Sequence, residues 1–124
     1  MAVVHAVGLP ENQSERKAIA YLARHLLDNH HIFHNLEFVS PSGLPYEYDI
    51  IVAAEYAVYA VEVKGYHGCI RGNACEWELE SGAIHRSPIP LANKKAKVLA
   101  HYLRSRSRLL RKVWVQPLIL LTDD

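Results

Sequence analysis

The stretch from Tyr46 to Gly65, Tyr-Glu-Tyr-Asp-Ile-Ile-Val-Ala-Ala-Glu-Tyr-Ala-Val-Tyr-Ala-Val-Glu-Val-Lys-Gly, constrains this chain most. Two β-branched apolar runs meet at Glu55 and Tyr56, which reads as a pair of neighbouring strands joined by a turn. Alternate residues of a strand share a face, so Glu47 and Asp49 point one way on the first run and Glu62 and Lys64 one way on the second. A hairpin then brings Asp49 close to Glu62. Charges taken out of water are costly unless they are paired, hydrogen-bonded or bound to metal. A core hairpin carrying these groups either forms internal salt bridges or builds a site.

The surroundings favour a site. Residues 1–80 hold 5 Lys and Arg against 11 Asp and Glu, whereas residues 81–122 hold 9 Lys and Arg and no acid. An acidic half beside a basic half suits a metal site facing a polyanion; mutual neutralisation across the fold is the alternative. With 124 residues, half of them apolar, the chain is about one domain with a core of its own. Met1 to Pro10 is too short for a secretory apolar region and lacks a basic start, and no membrane span is visible. Cys69 and Cys75 flank a turn with a spacing that fits no zinc pattern, so a reduced, cytoplasmic setting is expected.

Taken in order, Asn12 or Ser14 caps a helix running to about Asn29, with Ile19, Leu22, Ala23 and Leu26 on one face. Glu15 falls on that apolar stripe, within about 40° of Ile19, Leu22 and Leu26. It reads either as the acid of an Asn12-x-x-Glu15 capping box or as a carboxylate reaching a site under the helix. His25, His30, His31 and His34 crowd the segment that follows and read as exposed polar residues in preference to metal ligands.

A strand is expected over Ile32–Val39, then a loop rich in Ser, Pro and Gly, then the hairpin. Short strands follow around 69–71, 76–79 and 83–85. A second helix is expected over about Leu91–Ser107. Its core stripe is Ala92, Ala96, Leu99, Ala100 and Leu103; Asn93, Lys97, Arg104 and Arg108 run beside it, within about 60°. Leu91, Val98 and Tyr102 form a thin apolar line on the opposite side, fit for a partner. Val113–Thr122 reads as a buried strand in which Pro117 marks a break or an edge. Helix, strands, helix, strand predicts an α/β domain with a mixed sheet.

Asp49 and Glu62 offer hard oxygen ligands, which suit Mg²⁺ or Mn²⁺ and not zinc. The Val63 carbonyl is a further candidate ligand. Phosphodiester hydrolysis needs a metal, a group that positions water and a cation for transition-state charge. Lys64, on the same strand face as Glu62, fits either of the last two tasks.

These residues resemble the nuclease-related (NERD) domain of the PD-(D/E)xK nuclease superfamily, over about Ser14 to Leu121. The resemblance is carried by Ser14-Glu15, Glu47-Tyr-Asp49, Val61-Glu-Val-Lys64-Gly-Tyr-His-Gly68 and Pro90-Leu-Ala-Asn93. It implies a restriction-endonuclease-like α/β core with a central mixed sheet flanked by helices. It also implies metal binding at Asp49 and Glu62, catalysis by Lys64, and completion of the site by Glu15. Asn93 departs from the family pattern, which usually has Gln there; Glu47, on the same strand face as Asp49, is a further candidate. The basic stretch, with Asn93, Lys94, Lys95, Lys97, Arg104 and Arg108, is expected to contact DNA phosphates; RNA and a homodimer stay open. Residues 1–13 read as an N-terminal extension and 14–124 as the domain, cut from a longer polypeptide. The alternative is a non-catalytic nucleic-acid-binding or assembly module in a kinase- or helicase-containing parent.

Overall fold

The computed structural model describes residues 1–122; Asp123 and Asp124, inside the expected domain span, lie outside the described residues. Strands β1 (Val3–Ala6), β2 (His31–Val39), β3 (Pro45–Ala53), β4 (Val58–Lys64) and β8 (Val115–Leu121) form a sheet in the order β1-β2-β3-β4-β8. β2-β3 and β3-β4 are antiparallel, whereas β1-β2 and β4-β8 are parallel, so the sheet is mixed, as expected. β5 (Ile70–Gly72), β6 (Glu76–Leu79) and β7 (Ile84–Arg86) make a separate antiparallel sheet. β8 closes one edge of the main sheet, which is where a strand tolerates Pro117.

Helices α1 (Gln13–His25) and α2 (Ile89–Arg106) cover opposite faces of the main sheet. Asn12 caps α1, its Oδ1 accepting from the Glu15 N–H at 2.9 Å. The helix ends at Leu26, short of the expected Asn29. The chain start supplies the reason: the Ala2 N–H donates to the Ala23 carbonyl at 3.0 Å, and the next residues run on as β1, parallel to β2. The segment expected to be an extension is therefore an edge strand of the sheet. α2 begins earlier than expected because Pro90 fits a first helical turn, where a missing N–H costs nothing. It stops at Ser107, whose backbone is extended and whose Oγ accepts from the Leu109 N–H.

Each helix owns a core layer. Ala18, Ile32, Ile50, Val52, Val61 and Val63 pack under α1; Tyr46, Tyr48, Ala60, Ala96, Leu99 and Ala100 pack under α2. Along an uninterrupted strand, even-numbered residues share one face. Yet Tyr48 lies with α2 and Ile50 with α1, and likewise Leu36 with α2 and Ile32 with α1. β2 and β3 thus turn over together between the pairs Leu36↔Tyr48 and His34↔Ile50, where Asn35 and Asp49 fall opposite each other. Asn35 has φ +57°, a backbone that asparagine adopts more readily than most residues. The turnover carries the far half of the hairpin toward α2. There Phe38 stacks on Tyr48 and lies 4.9 Å from Tyr102 between ring centroids. Val98 and Tyr102 are accordingly half-buried against the α2 side of the sheet, and of the expected apolar line Leu91 remains exposed.

Candidate functional site

The site grows from the point where β3 and β4 part. Their ladder ends at Ile50↔Val61, and the Asp49 carboxylate takes over, Oδ2 accepting from the Val63 N–H at 2.9 Å. Both Asp49 and Glu62 are only partly exposed. Burial raises the Asp49 pKa above the ordinary carboxylate value; the Val63 N–H opposes this, the Glu15 charge adds to it, and Lys95 and Lys64 pull it back. Burial likewise raises Glu62, with the Lys95 hydrogen bond opposing and the Asp49 charge adding. The expected proximity of Asp49, Glu62 and Lys64 is what the fold builds.

Glu15 lies in the first turn of α1 and is 4% exposed; its N–H is the one that Asn12 caps, and its charge acts on Asp49. Its Oε1 accepts from the Glu11 N–H at 3.2 Å and from Asn35 Nδ2 at 2.7 Å. Asn35 Oδ1 in turn lies 2.6 Å from His34 Nδ1. His34 is therefore buried, against expectation, while His25 and His31 are exposed as expected. Glu47 is exposed and pairs in register with Glu37, so it stands at the rim.

Of the basic residues of α2, Lys95, which the sequence places among the phosphate-binding residues, is the least exposed. Lys95 donates from Nζ to Glu62 Oε1 at 2.9 Å, and both side chains are 12% exposed. Its ammonium lies 5.8 Å from the Tyr48 ring centroid, and the Tyr48 hydroxyl donates to the Lys95 carbonyl at 2.8 Å. Lys95 is thus an internal partner of Glu62 and not a free phosphate ligand. Helical spacing carried the signal: Lys95 follows Ala92 by three residues and precedes Leu99 by four, which puts it on the core stripe. Asn93, Lys94, Lys97, Arg104 and Arg108 are exposed along α2 and the turn beyond it. The Arg104 guanidinium also donates to the Val113 carbonyl, through Nη2 at 2.9 Å.

Among the described residues, no group of three or more His, Cys, Asp and Glu side chains is gathered to hold a metal ion. The donors present still fit a hard divalent cation. Mg²⁺ is commonly bound by one or two carboxylates and otherwise by water and substrate phosphate. Two acids whose pKa values burial raises, that of Glu62 also through the Asp49 charge, gain from a cation between them.

A family model described as nuclease-related domain matches residues 10–122. The chain belongs to this family. Its mixed sheet between two helices is the expected restriction-endonuclease-like core. The nuclease-related domain is also similar to the probable kinase PglW of Streptomyces coelicolor (strain ATCC BAA-471 / A3(2) / M145), 28% identical over 120 residues. That match covers 92% of this chain and 8% of the relative, so the chain spans a small part of that protein's length. No solved structure matches the domain. Among the described residues, no helix is long and apolar enough to cross a membrane.

Proposed function

We propose that this nuclease-related domain hydrolyses phosphodiester bonds in DNA with Mg²⁺ or Mn²⁺ as cofactor, in the cytoplasm. The observation that carries the reading is the partly buried pair Asp49 and Glu62, set on adjacent strands with Lys64 and Lys95 acting on both. Asp49 and Glu62 would hold the ion, with the Val63 carbonyl and Glu15 as the remaining protein donors. When bound, such an ion neutralises the scissile phosphate and lowers the pKa of the attacking water. Lys64 orients that water or stabilises the negative charge of the five-coordinate transition state. Lys95 holds Glu62 in place from α2. As the water oxygen bonds to phosphorus, the bond to the leaving oxygen breaks and that oxygen takes up a proton. Asn93, Lys94, Lys97, Arg104 and Arg108 bind phosphates and position the strand without reading its sequence.

Incubation with supercoiled and linear DNA in Mg²⁺, Mn²⁺ or EDTA tests this. Cleavage should require the ion and disappear in Asp49→Ala and in Lys64→Ala. Cleavage indifferent to either substitution would remove the assigned site.

The second reading is a non-catalytic module that binds nucleic acid or helps assemble a larger protein. It is favoured by the similarity to a probable kinase of which this chain matches only 8%. DNA binding without cleavage under every ion condition is its expected result.

A further inference from the structure

We propose that the cavity between α2 and β8 is a subsite for an unpaired nucleobase, with Trp114 as the surface on which the base stacks. The inference rests on the nucleic-acid reading of the domain and adds to it a place and a ligand class. The cavity holds about 480 Å³ and is lined by Asn93, Lys97, Arg104, Trp114, Gln116 and Pro117. Its floor is formed in part by Ala96 and Ala100, whose small side chains leave room above the helix.

Trp114 is 61% exposed, a large apolar ring left in water. It is nevertheless held in place. The Trp114 carbonyl accepts from the Val58 N–H at 2.9 Å, and the indole N–H donates to Gln116 Oε1 at 3.2 Å. The residue before it is fixed by the Arg104 guanidinium on the Val113 carbonyl. A ring that needs no ordering on binding suits stacking, and every base offers a π face.

The remaining groups match the rest of a nucleotide. Lys97 and Arg104 supply positive charge for phosphates, the Asn93 amide can pair with a base edge, and no acid lines the cavity. A peptide strand added to the β8 edge fits less well, because Pro117 removes a backbone donor there. In a duplex the base faces are covered by their neighbours, so the ligand is single-stranded or locally opened nucleic acid. Gln116 pairs with Tyr59 and Ile119 with Glu62, so the cavity lies about 10 Å along the β4-β8 ladder from the carboxylates.

The test uses the chain with Trp77→Phe, which leaves Trp114 as its one tryptophan. In EDTA, this protein is titrated with short oligo(dT), a duplex of equal length and a polyglutamate peptide of equal charge, following tryptophan emission and oligonucleotide anisotropy. Oligo(dT) should quench Trp114, and the duplex and the peptide should not. Trp114→Leu should weaken oligo(dT) binding about tenfold, with Trp114→Phe restoring most of it and duplex affinity little changed. Binding by anisotropy without quenching, or equal quenching by polyglutamate, overturns the subsite and leaves the nuclease reading to the plasmid assay. Absence of any oligonucleotide binding in EDTA likewise overturns the subsite, and cleavage in the plasmid assay with Mg²⁺ or Mn²⁺ decides the nuclease reading separately.

Discussion

Asn35 does two things at once: its backbone takes the positive φ at which β2 changes face, and its amide donates to the buried Glu15. Hydrogen bonds to buried charges are costly to lose, so Asn35→Ala should destabilise the domain by about 2 kcal/mol in urea unfolding. Asn35→Gly keeps the backbone freedom and should still lose most of that amount. The carboxylates give a pH signature. Burial raises both Asp49 and Glu62, so in the window above the ordinary carboxylate values the native state holds protons that the unfolded chain has released. Stability of the metal-free domain should therefore be greatest below that window and fall as pH rises through it. Asp49→Asn should flatten the fall when urea midpoints are compared across pH; a variant that tracks the parent at every pH would show that Asp49 does not set it. Asp49, Glu62 and Lys64 were legible in the sequence because strand alternation alone puts charges where apolar residues belong. Asn35 was not, because Ile32, Leu36 and Phe38 keep an even spacing that looks like one face and hides the turnover.

Between elements, the Lys95–Glu62 pair ties α2 to β4. Removing one partner leaves a poorly solvated charge, so Lys95→Ala should cost about 3 kcal/mol in the absence of divalent ions. Added Mn²⁺ should recover part of that loss, and calorimetry should find that Lys95→Ala binds Mn²⁺ more tightly than the parent, since the ammonium no longer competes for Glu62. Equal Mn²⁺ affinity in the two proteins would mean that Lys95 and the ion do not share Glu62. The hairpin, both helices and β8 were readable from period and capping. β1 was not: four residues with no alternating burial become a strand only because β2 offers a parallel edge far along the chain. The packing of Val98 and Tyr102 was hidden for a similar reason, since it depends on the hairpin crossing toward α2.

Across the whole molecule, the charge asymmetry of the sequence becomes a division between a carboxylate-bearing sheet and a basic α2 edge. Mutual neutralisation of the halves accounts for Lys95, whose partner is Glu62. It accounts less well for Lys94, Lys97 and Arg108, which are exposed. The two kinds of cation are separable by salt. Each phosphate that a side chain neutralises adds roughly 0.7–0.9 to the slope of log affinity against log salt concentration. Replacing Lys94, Lys97 and Arg108 with Gln should therefore lower the slope for DNA binding in EDTA by about that amount for each phosphate no longer neutralised, and weaken all sequences alike. Lys95→Ala should leave the slope where it was, because its ammonium is spent on Glu62. A slope unmoved by the three surface replacements would remove the basic footprint. A slope that falls with Lys95→Ala would place that lysine on the nucleic acid, and open Glu62 to the ion whenever DNA is bound.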